Sequence, residues 1–159
     1  MKRSLVLWLI LLIVCLLIFS LGAISLTDKQ IPASFFGGNE LFSPGNWVQE
    51  NQIKVYSDKV ILNIPNATWA EFTNTNSMDP FLDETANALE VYPANPDSIN
   101  LGDIISYHTS YGILIHRVIQ KGRDENGIYY LVKGDNNRFP DPYKIRYRDV
   151  RGVVVAIVY

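Results

Sequence analysis

From Gln52 to Tyr159 the apolar residues come in short runs, each bounded by Ser, Asp, Asn or Pro, and this punctuation leaves little room for helices. Runs at 53–55, 60–64, 69–72, 89–92, 104–107, 113–120, 128–133 and 152–159 have the length of strands. Between the sixth and seventh, Arg123-Asp124-Glu125-Asn126-Gly127 predicts a hairpin turn, because Asn and Gly tolerate positive φ. The last run is too short to cross a membrane as a helix and reads as a buried strand. A helical turn or two over 83–88 is the only helix expected in this region, and there is no internal repeat. The fold class expected is mostly β.

The front of the chain is different. No charged residue occurs from Ser4 to Leu26, and the stretch reaches roughly 34 Å as a helix against a bilayer core of about 30 Å. Lys2 and Arg3 precede it and Asp28 and Lys29 follow it, so the positive-inside bias puts the N-terminus in the cytoplasm and the rest outside. The expectation is a single-pass protein of the cell membrane, or of the endoplasmic reticulum in a eukaryote. A cleaved secretory signal is the competing reading, since Leu21-Gly22-Ala23 and Ala23-Ile24-Ser25 offer small residues. The chain would then be organised as a cytoplasmic terminus at 1–3, a transmembrane helix at 4–26, a juxtamembrane segment at 27–51 and an extracytoplasmic β-rich domain at 52–159. In the juxtamembrane segment Pro32, Gly37, Gly38, Pro44 and Gly45 alternate with Phe35, Phe36, Leu41, Phe42 and Trp47. That mixture suits a membrane surface or a loop covering a core.

A net charge of −2 and the lack of a basic tract argue against nucleic acid as a partner. The only cysteine, Cys15, lies within the apolar run, so there is neither a disulfide framework nor a thiolate metal site. Asn66-Ala67-Thr68 is a glycosylation sequon on the side expected to be exported.

Three places could carry chemistry. In Asn76-Ser77-Met78-Asp79-Pro80 the proline biases Asp79 away from the helical region, which holds Ser77 on a bend. In the run 113–120, alternation puts His116 on the face of Leu114 and Val118. Imidazole is the side chain best suited to take a proton from a serine hydroxyl near neutral pH. His108, in a polar turn, is not a candidate. Lys133-Gly134-Asp135-Asn136-Asn137, then Pro140-Asp141-Pro142, leave the neighbouring strand and bring two carboxylates near His116. Either Asp135 or Asp141 could orient the imidazole, Asp141 being the more rigidly held between its prolines. The two aspartates and Asn137 lack the spacing and terminal Glu of a calcium loop, so no metal or cofactor is expected.

Taken in order, Ser77-Met78-Asp79-Pro80, Gly102-Asp103-Ile104-Ile105, His116-Arg117-Val118-Ile119, Lys133-Gly134-Asp135-Asn136-Asn137 with Asp141, and Gly152-Val153-Val154-Val155-Ala156-Ile157 resemble the successive boxes of type I signal peptidases. Histidine at 116, where the bacterial branch has lysine, is similar to the archaeal and endoplasmic-reticulum branch. The resemblance implies a membrane-bound serine endopeptidase that removes signal peptides from exported precursors through an acyl-enzyme. In that scheme Ser77 is nucleophile, His116 general base, Asp141 the favoured third member and Asp135 the other acid of the motif. The Ser77 backbone N–H and Thr75 would hold the oxyanion. Lys133 matches a motif position that is not catalytic. Implied partners are signal peptides, the lipid bilayer and the secretion channel. The chain departs from the pattern at Asn76, where glycine is common, and at Phe81-Leu82. The alternative is a catalytically inactive, membrane-anchored β domain that binds extended peptides.

Overall fold

A computed structural model describes Trp8, residues 11–14 and residues 41–159. Among the described residues no helix is long and apolar enough to cross a membrane. This corrects the expected transmembrane helix at 4–26, and with it the single-pass topology and the cell-membrane location built on it. Trp8 and 11–14 are helical, and the remainder of 4–26 lies outside the described residues, as do 1–3 and 27–40. An uncharged apolar run establishes affinity for an apolar surrounding; a span additionally needs one continuous helix of about 20 residues. The chain divides into two units, the second being Leu41–Tyr159.

This second unit is mostly β. Strands β1 (Ile53–Val55) and β2 (Val60–Leu62) form a two-stranded antiparallel ribbon. The others are β3 (Thr68–Glu71), β4 (Asn87–Val91), β5 (Ile104–Thr109), β6 (Gly112–Asp124), β7 (Gly127–Lys133), β8 (Ile145–Arg146) and β9 (Val150–Val158). They make a seven-stranded sheet in the order β3-β4-β9-β5-β6-β7-β8, with every pairing antiparallel. The β6–β7 hairpin turns with only Gly127 at positive φ (96°), while Asp124 Oδ1 accepts from the Asn126 N–H at 3.0 Å.

Apolar side chains cover both faces of the sheet, with the period of two that a strand imposes. Ile105, Tyr107, Val118, Tyr130, Val132 and Val153 belong to one core cluster. Ile104, Ala88 and Val154 join Met78, Leu82 and Ala86 in another. Burial on both sides is why β5 begins as an unbroken Ile-Ile instead of an alternating pattern. Trp47 packs against the first cluster, whereas Leu41 and Phe42 are exposed.

No helix forms over 83–88. The Ala86 N–H reaches Asp83 O at 2.9 Å to close a turn, and Asn87 already begins β4. Alanine favours helices in isolation. Here the two alanines are consumed by close packing, Ala88 lying between Ala70 of β3 and Ile157 of β9.

Candidate active site

Ser77 lies in the loop between β3 and β4, and that loop is fixed from below. Met78 and Leu82 are buried in the second cluster, and the Phe81 and Leu82 N–H groups both donate to Met78 O, at 3.0 and 3.1 Å. Asn76 adopts φ +54°. Asparagine is among the few side chains that enter this left-handed region readily, which accounts for its standing where the resemblance has glycine. The loop leaving β7 clamps Ser77 from the other side. The Asn136 N–H donates to Ser77 O at 3.0 Å and Asn136 Nδ2 to Asn76 O at 2.9 Å. Gly134 permits this approach: a Cβ there would fall 2.5 Å from Ser77 O.

His116 stands on β6 opposite Ile105 and is buried. Its Nδ1 is 2.9 Å from Asp141 Oδ1 and 3.0 Å from Oδ2. Asp141 is placed by its own N–H, which donates to Val132 O at 2.9 Å. The Tyr107 hydroxyl lies 2.9 Å from the same Nδ1 and donates to Asp141 Oδ2. Burial, reinforced by the Asp141 carboxylate, pushes the Tyr107 phenol well above its usual pKa, so it stays a donor. With the Tyr107 proton directed at Asp141, the pair of carboxylate oxygens facing Nδ1 favours the tautomer protonated there. Nε2 is then the nitrogen with the lone pair.

The two aspartates separate. Asp135 takes both Nε and Nη2 of Arg117, at 2.8 and 2.6 Å, while Arg117 Nη1 donates to Gly102 O at 2.8 Å. Asp135 therefore braces the loop, and Asp141 is the acid at the imidazole. Lys133 Nζ donates to Gly134 O and Asn137 O, so its ammonium is committed to the turn that it begins. Among the described residues no group of three or more His, Cys, Asp or Glu side chains could hold a metal ion.

Ser77, Thr75 and His116 line one pocket of about 220 Å³, with Met78, Ile115, Glu90 and Ser106 also on its wall. Within it the Ser77 and Thr75 hydroxyls are 3.2 Å apart and bonded to each other. Among the described residues no hydrogen bond joins Ser77 to His116, so a closed Ser–His–Asp relay is absent. Together with the absence of a spanning helix among the described residues, this corrects the expected activity as a membrane-bound peptidase that clears signal peptides from exported precursors. The membrane-anchored inactive alternative is corrected by the same finding on the described residues. Sequence reasoning missed Tyr107 and Glu90. Tyrosine is an ordinary strand residue, and only the pairing of Tyr107 with Leu114 brings its hydroxyl to His116. Compared with known proteins, the chain matches no family model and no curated protein.

Proposed function

We propose that this domain is a serine-dependent hydrolase of peptide bonds, with a site of the type that the order of its motifs resembles. Neither membrane attachment nor removal of signal peptides belongs to this proposal. The observation that carries it is the imidazole: His116 is oriented through Nδ1 by Asp141 while lining the same pocket as Ser77. A rotation about χ1 releases the Ser77 hydroxyl from Thr75. His116 Nε2 takes its proton as Oγ attacks the carbonyl carbon, and Asp141 stabilises the imidazolium. The carbonyl oxygen becomes an oxyanion, for which the Ser77 N–H and the freed Thr75 hydroxyl are the donors. The imidazolium returns its proton to the leaving amine, and water repeats the sequence on the acyl group.

An extended substrate is supported by β3, which among the described residues pairs with β4 on one side only and whose Ala70 and Glu71 line the pocket. An unpaired strand edge offers N–H and C=O groups to an added strand. The test is covalent labelling by a fluorophosphonate, which reports an activated serine directly. Ser77 is expected to be labelled, and Ser77→Ala or His116→Ala to abolish both labelling and peptide turnover in a protein that still unfolds cooperatively, His116→Ala at a lower Tm because it leaves Asp141 without its imidazole. A folded protein whose Ser77 stays unlabelled overturns the reading.

A further inference from the structure

Glu90 is 1% exposed, yet only one of its carboxyl oxygens is satisfied. Oε2 accepts from Ser106 Oγ at 3.0 Å, and Arg151 Nη1 stands 3.9 Å from it, beyond hydrogen-bond reach. Oε1 has no partner among the described residues. Burial raises the Glu90 pKa against the opposing pulls of Ser106 and Arg151. The fold makes room for this awkward group. Register shifts between Leu89 and Glu90 where β4 meets β9, an irregularity of the kind that re-aims a side chain. Two residues along β9 from Val154, the partner of Glu90, stands Gly152, where an added Cβ would lie 2.9 Å from Glu90 Cβ. The other buried oxygen without a partner, Asp83 Oδ1, does not belong to the pocket wall; Glu90 does.

A buried polar atom left unpaired is destabilising, and a ligand can relieve that penalty by supplying the partner. We propose that the pocket beside Ser77 and His116 takes a hydroxyl side chain, serine or threonine, of the bound peptide, and that Glu90 Oε1 selects it. This rests on the peptide-hydrolase reading. A hydroxyl both donates and accepts, so it satisfies Oε1 whether the carboxyl carries a proton or not. Arg151 opposes a second cation, and Glu71 and Glu90 oppose an acidic side chain. Ala70, Phe72, Met78 and Leu82 supply apolar walls for the Cβ and for the methyl of threonine.

The experiment measures binding to the folded Ser77→Ala protein by calorimetry, independently of turnover. The probe is a hexa-alanine peptide with a Gly-Lys tag at each end, carrying one threonine or one valine at each position in turn. At one position threonine should bind roughly tenfold more tightly than its isostere valine. Adding Glu90→Met should abolish that preference, and Gly152→Ala, which presses on Glu90 without removing it, should weaken it. Equal binding of the two peptides at every position, absence of peptide binding, or a preference that survives in a folded Glu90→Met protein overturns the inference. Labelling of Ser77 without any threonine preference sinks this inference alone. A threonine preference with an unlabelled Ser77 sinks the hydrolase reading and leaves a hydroxyl-selective peptide site.

Discussion

A phenol hydroxyl shared between an imidazole and a carboxylate restrains both, and Tyr107 holds that place beside His116 and Asp141. It is a positioning residue. Tyr107→Phe keeps the ring in the core and removes one donor from Asp141, so a loss of about 1–2 kcal/mol in urea unfolding is expected. Peptide turnover should fall through kcat with KM unchanged, since the substrate does not touch the phenol; a change confined to KM would refute this role. Gly134→Ala tests the clamp on Ser77. The added Cβ would meet Ser77 O at 2.5 Å and Asn137 Nδ2 at 2.6 Å, so the Ser77 loop must move. A displacement of about 1 Å at a reacting group costs on the order of a hundredfold in rate, which kinetics on this variant would reveal. Ser77, His116 and both aspartates were legible as candidates because local motifs present them. Tyr107 and Glu90 were not, because their roles arise from strand register, which joins residues distant in sequence.

Between elements, Asp124 fastens the end of the β6–β7 hairpin to β8. Its carboxylate takes both terminal nitrogens of Arg146, at 2.9 and 2.8 Å, and Lys144 Nζ at 2.8 Å. Both cations also lie over the Tyr129 ring. The hydrogen bonds from Arg146, then Lys144, hold the Asp124 carboxyl well below the usual carboxylate range. The resulting stability is therefore complete above the ordinary aspartate value of about 3.9 and is lost as pH falls through the depressed folded value. Asp124→Asn should lower Tm by a few degrees at pH 7, and the gap to the parent protein should narrow in melts below about pH 4. A gap that stays constant down to acid unfolding would exclude this linkage. β8 itself escaped the sequence, since Ile145 is a single apolar residue among charges and presents no alternation. The hairpin was legible through Asn126-Gly127, whereas the turn at 83–86 was hidden by alanines serving as spacers in the core.

For the whole molecule, alkaline titration reads the core. Tyr130 is pushed up to about 12, first by burial and then by the Asp97 carboxylate and the Tyr147 phenol. Tyr107 is raised as well, by burial and Asp141. Both phenols stay protonated in the fold, so their contribution is full below the ordinary tyrosine value of about 10 and is lost as pH rises past the folded values. Tyrosinate absorbance from the core pair should appear only together with loss of circular dichroism. Absorbance from the pair that precedes unfolding would contradict it. The β class was legible from punctuated apolar runs; the strand order was not, because antiparallel pairing leaves the choice of neighbour to packing.

The position of β9, between β4 and β5, has a consequence in time. The sheet consists of two pieces, β3-β4 beside Ser77 and β5 to β8 bearing His116, and within the sheet only β9 stitches them together. A ribosome delivers β9 after all the others. A nascent chain that has emerged only as far as Asp149 can pair each piece separately, but the sheet connection between the Ser77 side and the His116 side is still missing. The joining of the two pieces into one sheet therefore comes only after β1 to β8 have all been made, and the approach of Ser77 to His116 that the proposed chemistry needs waits on it.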